Sequence, residues 1–312
     1  MVVTYTPRPA VPPTSDLNDL YVATWNCTTS ATDAKLDRIA ELVWGPPSHE
    51  AFHDLVLIQE ASRQHAAGAL TPYNVFLQAL TTNGWEWWLS PDEGPKHSSK
   101  NAYLMIWNPH VLRLTDGPDF DVNYAWEPVL EQTTRTRTVR PPVRLNPMFA
   151  MDNPPLTAGF DNLLTRKPLR AYSWHVTPDG AADRVARWPS ATALAAPGAS
   201  KVAVAKLAGL RNQPQVTQQL QDAAAGRIAW LLAGDLNTGP DSLTRSVWSK
   251  TLPPFPRSLG FSIVTGGGGS EKLRRIDHII ALCGKKRVPM EKESGLGGKL
   301  GDHAPVGAVI TF

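Results

Sequence analysis

The sequence contains few cysteines and no long apolar run. Among its 312 residues there are two cysteines, Cys27 and Cys283, and neither belongs to a closely spaced pair. This pattern excludes a disulfide-stabilised scaffold and a cysteine-based metal site, so we expect both thiols to be buried. No stretch of about 18 consecutive apolar residues is present, and no membrane-spanning helix is therefore predicted.

The sequence also lacks a secretory signal and the motifs of two common classes of hydrolase. Residues 1–13 lack the basic segment and apolar core of a secretory signal. Three interpretations stay open: a cytoplasmic protein, export by a non-standard route, or a secreted protein that has already been trimmed. The sequence has no GxxxxGK[ST] phosphate loop and no GxSxG nucleophile turn, which argues against a phosphate-loop nucleotide hydrolase and a serine α/β-hydrolase.

The charge balance is close to even. The 31 Lys and Arg residues against 28 Asp and Glu give a formal net charge of +3, which permits a polyanionic substrate without requiring one. Hydrophobic residues make up 42% of the chain, enough for a sizeable core, and the 28 prolines indicate long ordered loops. Nothing in the composition specifies the oligomeric state.

Apolar runs of strand length alternate with helical patterns, which predicts an α/β fold. We expect an extended arm over 1–18 and a single domain over 19–312, with a long insertion at about 115–166. Strands are predicted over 20–25, 54–59, 85–89, 102–107, 167–176, 228–233, 275–282 and 306–312, with 111–114 forming a hairpin with 102–107, and helices are predicted over 33–44, 62–82 and, in two pieces broken near Pro197 and Pro214, within 181–225.

Polar side chains stand at the ends of these apolar runs, where open α/β sheets place their chemistry. Six blocks of this kind in chain order are hard to obtain by chance, so we predict that they converge in one site. The side chains concerned are Asn26, Glu60, His175, Asp235, Asn237, Asp277, Asp302 and His303.

These residue types suit the metal-assisted hydrolysis of a phosphate ester. The carboxylates and amides in the set are oxygen ligands of the kind that Mg²⁺ prefers. The two histidines, His175 and His303, can supply a general acid and a general base if they converge. A divalent ion with such a pair hydrolyses a phosphodiester, because the metal offsets developing charge while the base activates water.

Each block taken singly also has a structural interpretation. Asn26 can cap a turn, Glu60 can be an ordinary loop carboxylate, and His175 can be a hydrogen-bonded core histidine. His278 is as compatible with a structural role as with a place near the site. The functional interpretation is favoured because all the structural ones would have to hold together.

Taken together, the blocks resemble the endonuclease/exonuclease/phosphatase superfamily, which has the deoxyribonuclease I-like fold. Within it, the chain is most similar to the catalytic B subunit of cytolethal distending toxin, through residues 24–26, 59–62, 140–141 and 302–307. The segments that resemble the superfamily are ATWN at 23–26, IQEA at 58–61, WH at 174–175, GDLN at 234–237, RIDH at 275–278 and GDHAPV at 301–306.

The resemblance implies a four-layer α/β/β/α sandwich of two packed mixed β-sheets flanked by helices. It also implies a catalytic Mg²⁺, with Mn²⁺ or Ca²⁺ as alternatives, held by Glu60, Asn26 and Asp302. His303 is the implied general base, oriented by Asp277. His175 is the implied general acid toward the leaving oxygen, or alternatively stabilises the pentacovalent phosphate.

The resemblance assigns further residues to the substrate phosphate. Asp235 and Asn237 would position the attacking water and the phosphate, and Arg140 would contact the phosphate directly. Lys100 and Asn101 are added to this group, although Asn101 stands where deoxyribonuclease I carries a glutamate.

The implied activity is that of a metal-dependent phosphoric ester hydrolase. The leading hypothesis is a DNA endonuclease, with a genotoxin-like effector role and toxin delivery subunits as partners. The alternatives are a phosphoinositide phosphatase of the same fold and a catalytically silent binding module. Basic residues such as Arg166, Lys167 and Arg170 are candidates for contact with the backbone of DNA or of another phosphate-ester polyanion.

Overall fold

The computed structural model describes the chain in segments separated by gaps. The described residues are 6–12, 19–27, 33–45, 53–61, 72–90, 102–120, 155–176, 207, 210, 214–237, 261–265, 277–284, 286–293, 296, 300 and 303–312. In chain order, the elements are β1 (Asp19–Asn26), α1 (Asp33–Trp44), β2 (Leu55–Ala61), α2 (Pro72–Thr82), β3 (Glu86–Leu89), β4 (Ala102–Trp107), β5 (Leu112–Phe120), β6 (Leu156–Asn162), β7 (Lys167–Ser173), α3 (Pro214–Ala224), β8 (Ala229–Asp235), β9 (Ser262–Thr265), β10 (Asp277–Leu282), β11 (Met290–Lys292) and β12 (Val306–Thr311). Among the described helices, none has the length and apolar character needed to cross a membrane.

The strands form two mixed sheets of six strands each. The first sheet has the order β11-β12-β1-β2-β4-β3, and the second has the order β5-β6-β7-β8-β10-β9. Each sheet has one parallel pair, β1 with β2 and β7 with β8, and its other pairs are antiparallel. The two sheets pack face to face, which confirms the predicted two-sheet α/β sandwich.

Alternation along each strand sorts the apolar side chains into three layers. On β1, Leu20 and Val22 enter the core between the sheets, whereas Ala23 and Trp25 pack with α1 and α2 on the outer face of the first sheet. On the outer face of the second sheet, a third cluster includes Trp230 and residues of α3. The order of layers is therefore helix, sheet, sheet, helix.

Most of the predicted elements are present, and α1 begins and ends at the expected residues. The expected hairpin of 111–114 with 102–107 is wrong. After β4, backbone bonds from Val111 and Leu112 to the Asn108 carbonyl turn the chain into the second sheet, where β5 pairs with β6. The ends of the expected 115–166 insertion are thus strands of that sheet, while 121–154 lies outside the described residues.

Three further expectations can be compared with the structure. Helix α3 begins at Pro214, which agrees with the expected helix boundary near this proline, because proline is tolerated in the first helical turn, where no backbone donor is required. The helix expected over 62–82 is described as α2, with 62–71 outside the described residues. The two cysteines form no disulfide, and Cys283 is half-buried where we expected burial, because it follows the last residue of β10.

Strands β7 and β8 approach each other closely just before their polar ends. The Trp174 N–H donates to the Ala233 carbonyl at 3.0 Å, and Gly234 has a φ of 142°. A Cβ built on Gly234 would lie 2.1 Å from the carbonyl oxygen of Trp174, a separation that real side chains do not reach. Only glycine therefore fits at this position.

We predict that Gly234→Ala lowers the free energy of unfolding by about 3 kcal/mol, through steric overlap added to backbone strain. The matched control is Gly284→Ala, because Gly284 also has a positive φ, 85°, but has no atom within 4 Å of an added Cβ. The control should cost about 1 kcal/mol. Urea denaturation measures both values, and equal midpoints for the two variants would contradict the close approach.

A buried carboxyl group lies at the opposite end of β2 from Glu60. Asp54 accepts the Tyr21 N–H at 3.1 Å and lies 3.5 Å from the Asn108 amide. Burial raises the pKa of Asp54 to about 7, although the Tyr21 hydrogen bond and the charge of His53 oppose the rise. The folded protein therefore holds a proton on this group across a pH range in which the unfolded chain has released it.

We predict that this proton makes stability fall as pH rises from about 4 to about 7. In this range the folded state binds more protons than the unfolded state, so the stabilisation is complete at low pH and is lost on passing the folded pKa. The loss attributable to Asp54 is about 4 kcal/mol. Denaturation of Asp54→Asn at several pH values should show a shallower decline than the parent protein, and parallel curves would refute the assignment.

Candidate active site

The predicted polar groups that the structure describes meet at one edge of the sandwich. Parallel strands β1 and β2 both end there, with Asn26 on β1 and Glu60 on β2. In the second sheet, β10 runs antiparallel to β8, so Asp277 at the start of β10 lies beside Asp235 at the end of β8. His175 follows β7, the parallel neighbour of β8, and His303 precedes β12. The topology alone therefore brings residues from both sheets together.

A local irregularity of β2 directs the Glu60 side chain towards the site. The pairing of β2 with β4 shifts register between Ile58 and Ala61, and Glu60 has a left-handed backbone with a φ of 54°. A non-glycine residue in this region is strained and persists where surrounding contacts hold it. Here the Cys27 thiol donates to the Glu60 carbonyl at 3.2 Å, and the Cys27 N–H donates to the Gln59 carbonyl at 3.0 Å.

The Asn26 amide connects carboxylates of the two sheets. Its nitrogen Nδ2 lies 3.1 Å from Glu60 Oε1 and 3.1 Å from Asp235 Oδ2. Asp235 is 2% exposed, and its other oxygen, Oδ1, accepts the Asn237 N–H at 3.0 Å. Asn237 itself has a φ of 47°, a conformation that asparagine adopts more readily than most residues.

His303 and Asp277 form a hydrogen-bonded pair. Asp277 Oδ2 lies 2.9 Å from His303 Nδ1, which leaves Nε2 of the ring facing Asp235 Oδ2 at 3.6 Å. The indole N–H of Trp25 also donates to the His303 carbonyl at 3.3 Å and so fixes the backbone of this residue. A carboxylate on Nδ1 selects the tautomer whose Nε2 can accept a proton.

His175 also lies close to Asp235. Its Nε2 is 3.8 Å from Asp235 Oδ2, and its Nδ1 is 3.5 Å from Glu60 Oε1. These distances are longer than typical hydrogen bonds, and they bring the ring close enough to both carboxylates for an ion pair when it is protonated. The His175 backbone N–H donates to the hydroxyl of Tyr103 at 3.0 Å.

Burial and charge shift the ionisation of two groups in the site. The pKa of Asp235 is raised to about 6, first by burial and then by the charge of Asp277, while the charges of His175 and His303 oppose the rise. Burial disfavours protonation of His303, but the hydrogen bond and charge of Asp277, with the charge of Asp235, outweigh it and raise the pKa of His303. His303 is consequently a stronger base than a free histidine.

The donor set fits a divalent cation. Glu60 offers a carboxylate oxygen held in place by a strained backbone, and a half-turn of the Asn26 amide presents its oxygen to the same space. Such hard oxygen donors are typical ligands of Mg²⁺. Among the described residues, Asp235, Asp277 and His303 also place one donor atom each within 4.8 Å of one another, a group that can hold a metal ion.

Other predicted residues lie elsewhere or outside the described part of the chain. Asp302, Arg140, Lys100 and Asn101 are among the residues that the structure does not describe. His278 lies on the outer face of the second sheet, opposite Asp277, and its Nδ1 is 3.1 Å from the Thr265 hydroxyl, which supports the structural interpretation of this residue.

The basic residues proposed on β7 are far from the site. Lys167 begins β7 and lies roughly 25 Å of extended chain from His175. Its ammonium group donates to Cys283, and Arg170 pairs with Asp116 at 2.7 Å. Neither is placed to contact a phosphate at the site.

We predict that Asp277→Asn lowers the pKa of His303, because it removes a charge-assisted hydrogen bond while leaving the shape of the site unchanged. The pKa is measured by following the ring protons of His303 by NMR across a pH titration of the metal-free protein. The ring of His110, which is exposed at the far end of β4, provides an internal control. A His303 titration that is unchanged in the variant would contradict the pairing.

Comparison with known proteins supports the fold. No family model and no curated protein matches the sequence. Truncated TDP2 from Caenorhabditis elegans superposes with a TM-score of 0.52 at 10% identity, covering 95% of this chain and 100% of that one. A functionally unknown conserved protein from Enterococcus faecalis V583 gives 0.50 at 15% identity, covering 93% and 99%.

An endonuclease/exonuclease/phosphatase family protein from Bacteroides thetaiotaomicron gives a TM-score of 0.49 at 16% identity, covering 94% of this chain and 98% of that one. Identities this low carry information about architecture only. The likeness to truncated TDP2 and to the Enterococcus faecalis protein therefore supports the two-sheet α/β sandwich described above and assigns no activity.

Proposed function

We propose that the protein is a divalent-metal-dependent phosphodiesterase that hydrolyses DNA. The observation that carries the proposal is the arrangement around Asp235: His303 Nε2 and His175 Nε2 lie 3.6 and 3.8 Å from the same carboxylate oxygen. Two histidines close to one buried carboxylate, beside a strained glutamate, suit displacement at phosphorus with one proton acceptor and one proton donor. One histidine faces the attacking water and the other faces the leaving oxygen.

In this mechanism Glu60 and Asn26 hold the cation, and Asp302 is the third ligand expected from the sequence. Bound Mg²⁺ supplies Lewis-acid stabilisation of the charge that develops on the phosphate oxygens. The residues of the chain then have separable tasks. They orient the water, remove its proton, and return a proton to the leaving group.

His303 is the general base and His175 the general acid. The water oxygen bonds to phosphorus as its proton moves to His303 Nε2, and Asp277 stabilises the resulting imidazolium. The bond from phosphorus to the leaving oxygen breaks as His175 donates a proton to that oxygen. Asp235 and Asn237 position the water and the phosphate, and the charge of Asp235 stabilises both histidines when they are protonated.

The choice of DNA is supported by the sequence motifs. Segments 24–26 and 59–62 are similar to the catalytic B subunit of cytolethal distending toxin, and from this similarity we infer a genotoxin-like role with delivery subunits as partners. Arg140, Lys100 and Asn101 are the inferred phosphate contacts. Phosphoinositide phosphatase activity and a silent binding module are the competing outcomes of the test below.

We predict that the protein nicks supercoiled plasmid in the presence of Mg²⁺ and that excess EDTA abolishes nicking. His175→Ala and His303→Ala should each lower the rate by about 10²–10⁴-fold, because each removes one proton-transfer group. Glu60→Gln should raise the Mg²⁺ concentration required for half-maximal activity. Gel densitometry of the nicked plasmid measures the nicking rate in each of these experiments.

The matched control is His110→Ala, which removes an exposed histidine at the opposite end of β4 and should cleave at the parental rate. Nicking that survives both site-histidine substitutions would refute the mechanism. Phosphate release from a phosphoinositide without nicking would favour the phosphatase. DNA binding without turnover of either substrate would favour the binding module.

A further inference from the structure

The two halves of the site stand on different sheets, so their spacing has to be fixed across the sandwich. Glu60 and Asn26 belong to the first sheet, and His175 belongs to the second. The core between the sheets is mostly apolar, and apolar contact is not directional. Directional bonds between the sheets are needed to hold proton-transfer groups within the tolerance that catalysis requires.

Gln59 supplies one such bond. Its side chain is fully buried, and Nε2 donates to the Ser173 hydroxyl across the sheet interface at 2.9 Å. On its own sheet the same nitrogen lies 3.0 Å from Thr24 Oγ1 and 3.1 Å from the Leu57 carbonyl oxygen. Gln59 directly precedes Glu60, so this network ties the second sheet to the metal-binding side of the site.

Tyr103 supplies another bond from the first sheet. Its hydroxyl accepts the His175 N–H at 3.0 Å, and its ring is wholly buried. Ser173 and His175 are two residues apart and face the same side of the chain. The short segment 173–175 is therefore held from the opposite sheet at both of its ends.

We propose that Gln59, Ser173 and Tyr103 are positioning residues for the general acid. This inference rests on the proposed function, since it assigns them to the protonation of the leaving oxygen by His175. Loss of either cross-sheet bond lets segment 173–175 shift relative to Glu60. A shift of this kind impairs proton donation to the leaving group and leaves the attacking side, His303 and Asp277, in place.

Substrates with a different leaving atom distinguish the positioning of the general acid from a general effect on protein structure. Duplex oligonucleotides that carry a single sulfur in place of the 3′- or the 5′-bridging oxygen release a thiolate, which departs without a proton. The measured quantity is the ratio of cleavage rates for the sulfur and oxygen substrates at that position. Impaired general acid catalysis raises this ratio, whereas a loss of folded protein lowers both rates equally.

We predict that Tyr103→Phe and Ser173→Ala each raise the sulfur-to-oxygen ratio by about tenfold or more. His175→Ala should raise the ratio further, and adding Tyr103→Phe to His175→Ala should leave it unchanged, because no acid remains to be positioned. Thermal unfolding by circular dichroism establishes that each variant is folded. Ser173→Ala provides the test on its own if Tyr103→Phe does not fold.

The controls are variants that remove buried hydroxyls facing away from the site. Tyr172→Phe removes a hydroxyl bonded to Gln219 of α3 at 2.6 Å, and Ser262→Ala removes one bonded to the Val288 carbonyl. Both should keep the parental ratio. Equal slowing of the two substrates in Tyr103→Phe and Ser173→Ala would overturn the inference, whereas a parental ratio in His175→Ala would overturn the proposed general acid itself.

Discussion

Hydrogen bonding between polar groups buried on the facing sides of two sheets is the constraint on which this molecule depends. Along β1 and β2, the inward positions are apolar at one end and become Thr24, Asn26 and Gln59 at the other. A buried amide or hydroxyl without a partner is costly, so each of these groups requires a partner of matching geometry. The opposite sheet supplies such partners in Ser173 and Asp235. Because a buried polar group without a partner is costly, these bonds favour a single relative position of the two sheets.

The same constraint gives the site its electrostatic character. Asp235 is enclosed by protein, so its charge is stabilised mainly by the neighbouring histidines and by the Asn237 N–H. The pKa of His303 is in turn raised by the charges of Asp277 and Asp235. Ionisation in the site is therefore a property of the group as a whole, and a substitution at one member changes the ionisation of the others.

Much of the fold and the site could be predicted from the sequence, because strand runs and polar strand ends are local features. The helix Asp33–Trp44 and the strand positions carrying Asn26, Glu60 and Asp235 follow from such patterns. Strands β9 and β11, of four and three residues, are too short to give a periodic signal. The position of β5 in the second sheet could not be predicted, because it depends on a turn at Asn108 that carries the chain from one sheet to the other.

The contacts that position the site were also beyond the sequence pattern. The left-handed backbone of Glu60 depends on bonds from Cys27, which is distant along the chain. Tyr103 has the pattern of an ordinary strand aromatic, and nothing local indicates that its hydroxyl meets the His175 backbone. Such contacts arise only when the sheets are packed.

The bond from the Trp25 indole to the His303 carbonyl joins residues that are 278 positions apart. On the ribosome, the first sheet cannot be completed until β12 has emerged and paired with β1, and His303 takes its place only then. Contacts so distant in sequence form slowly, because a long loop must close before they are gained. A nascent chain that already carries Glu60, His175 and Asp235 thus lacks His303 in its place, and the candidate site is completed only when the last strand has paired.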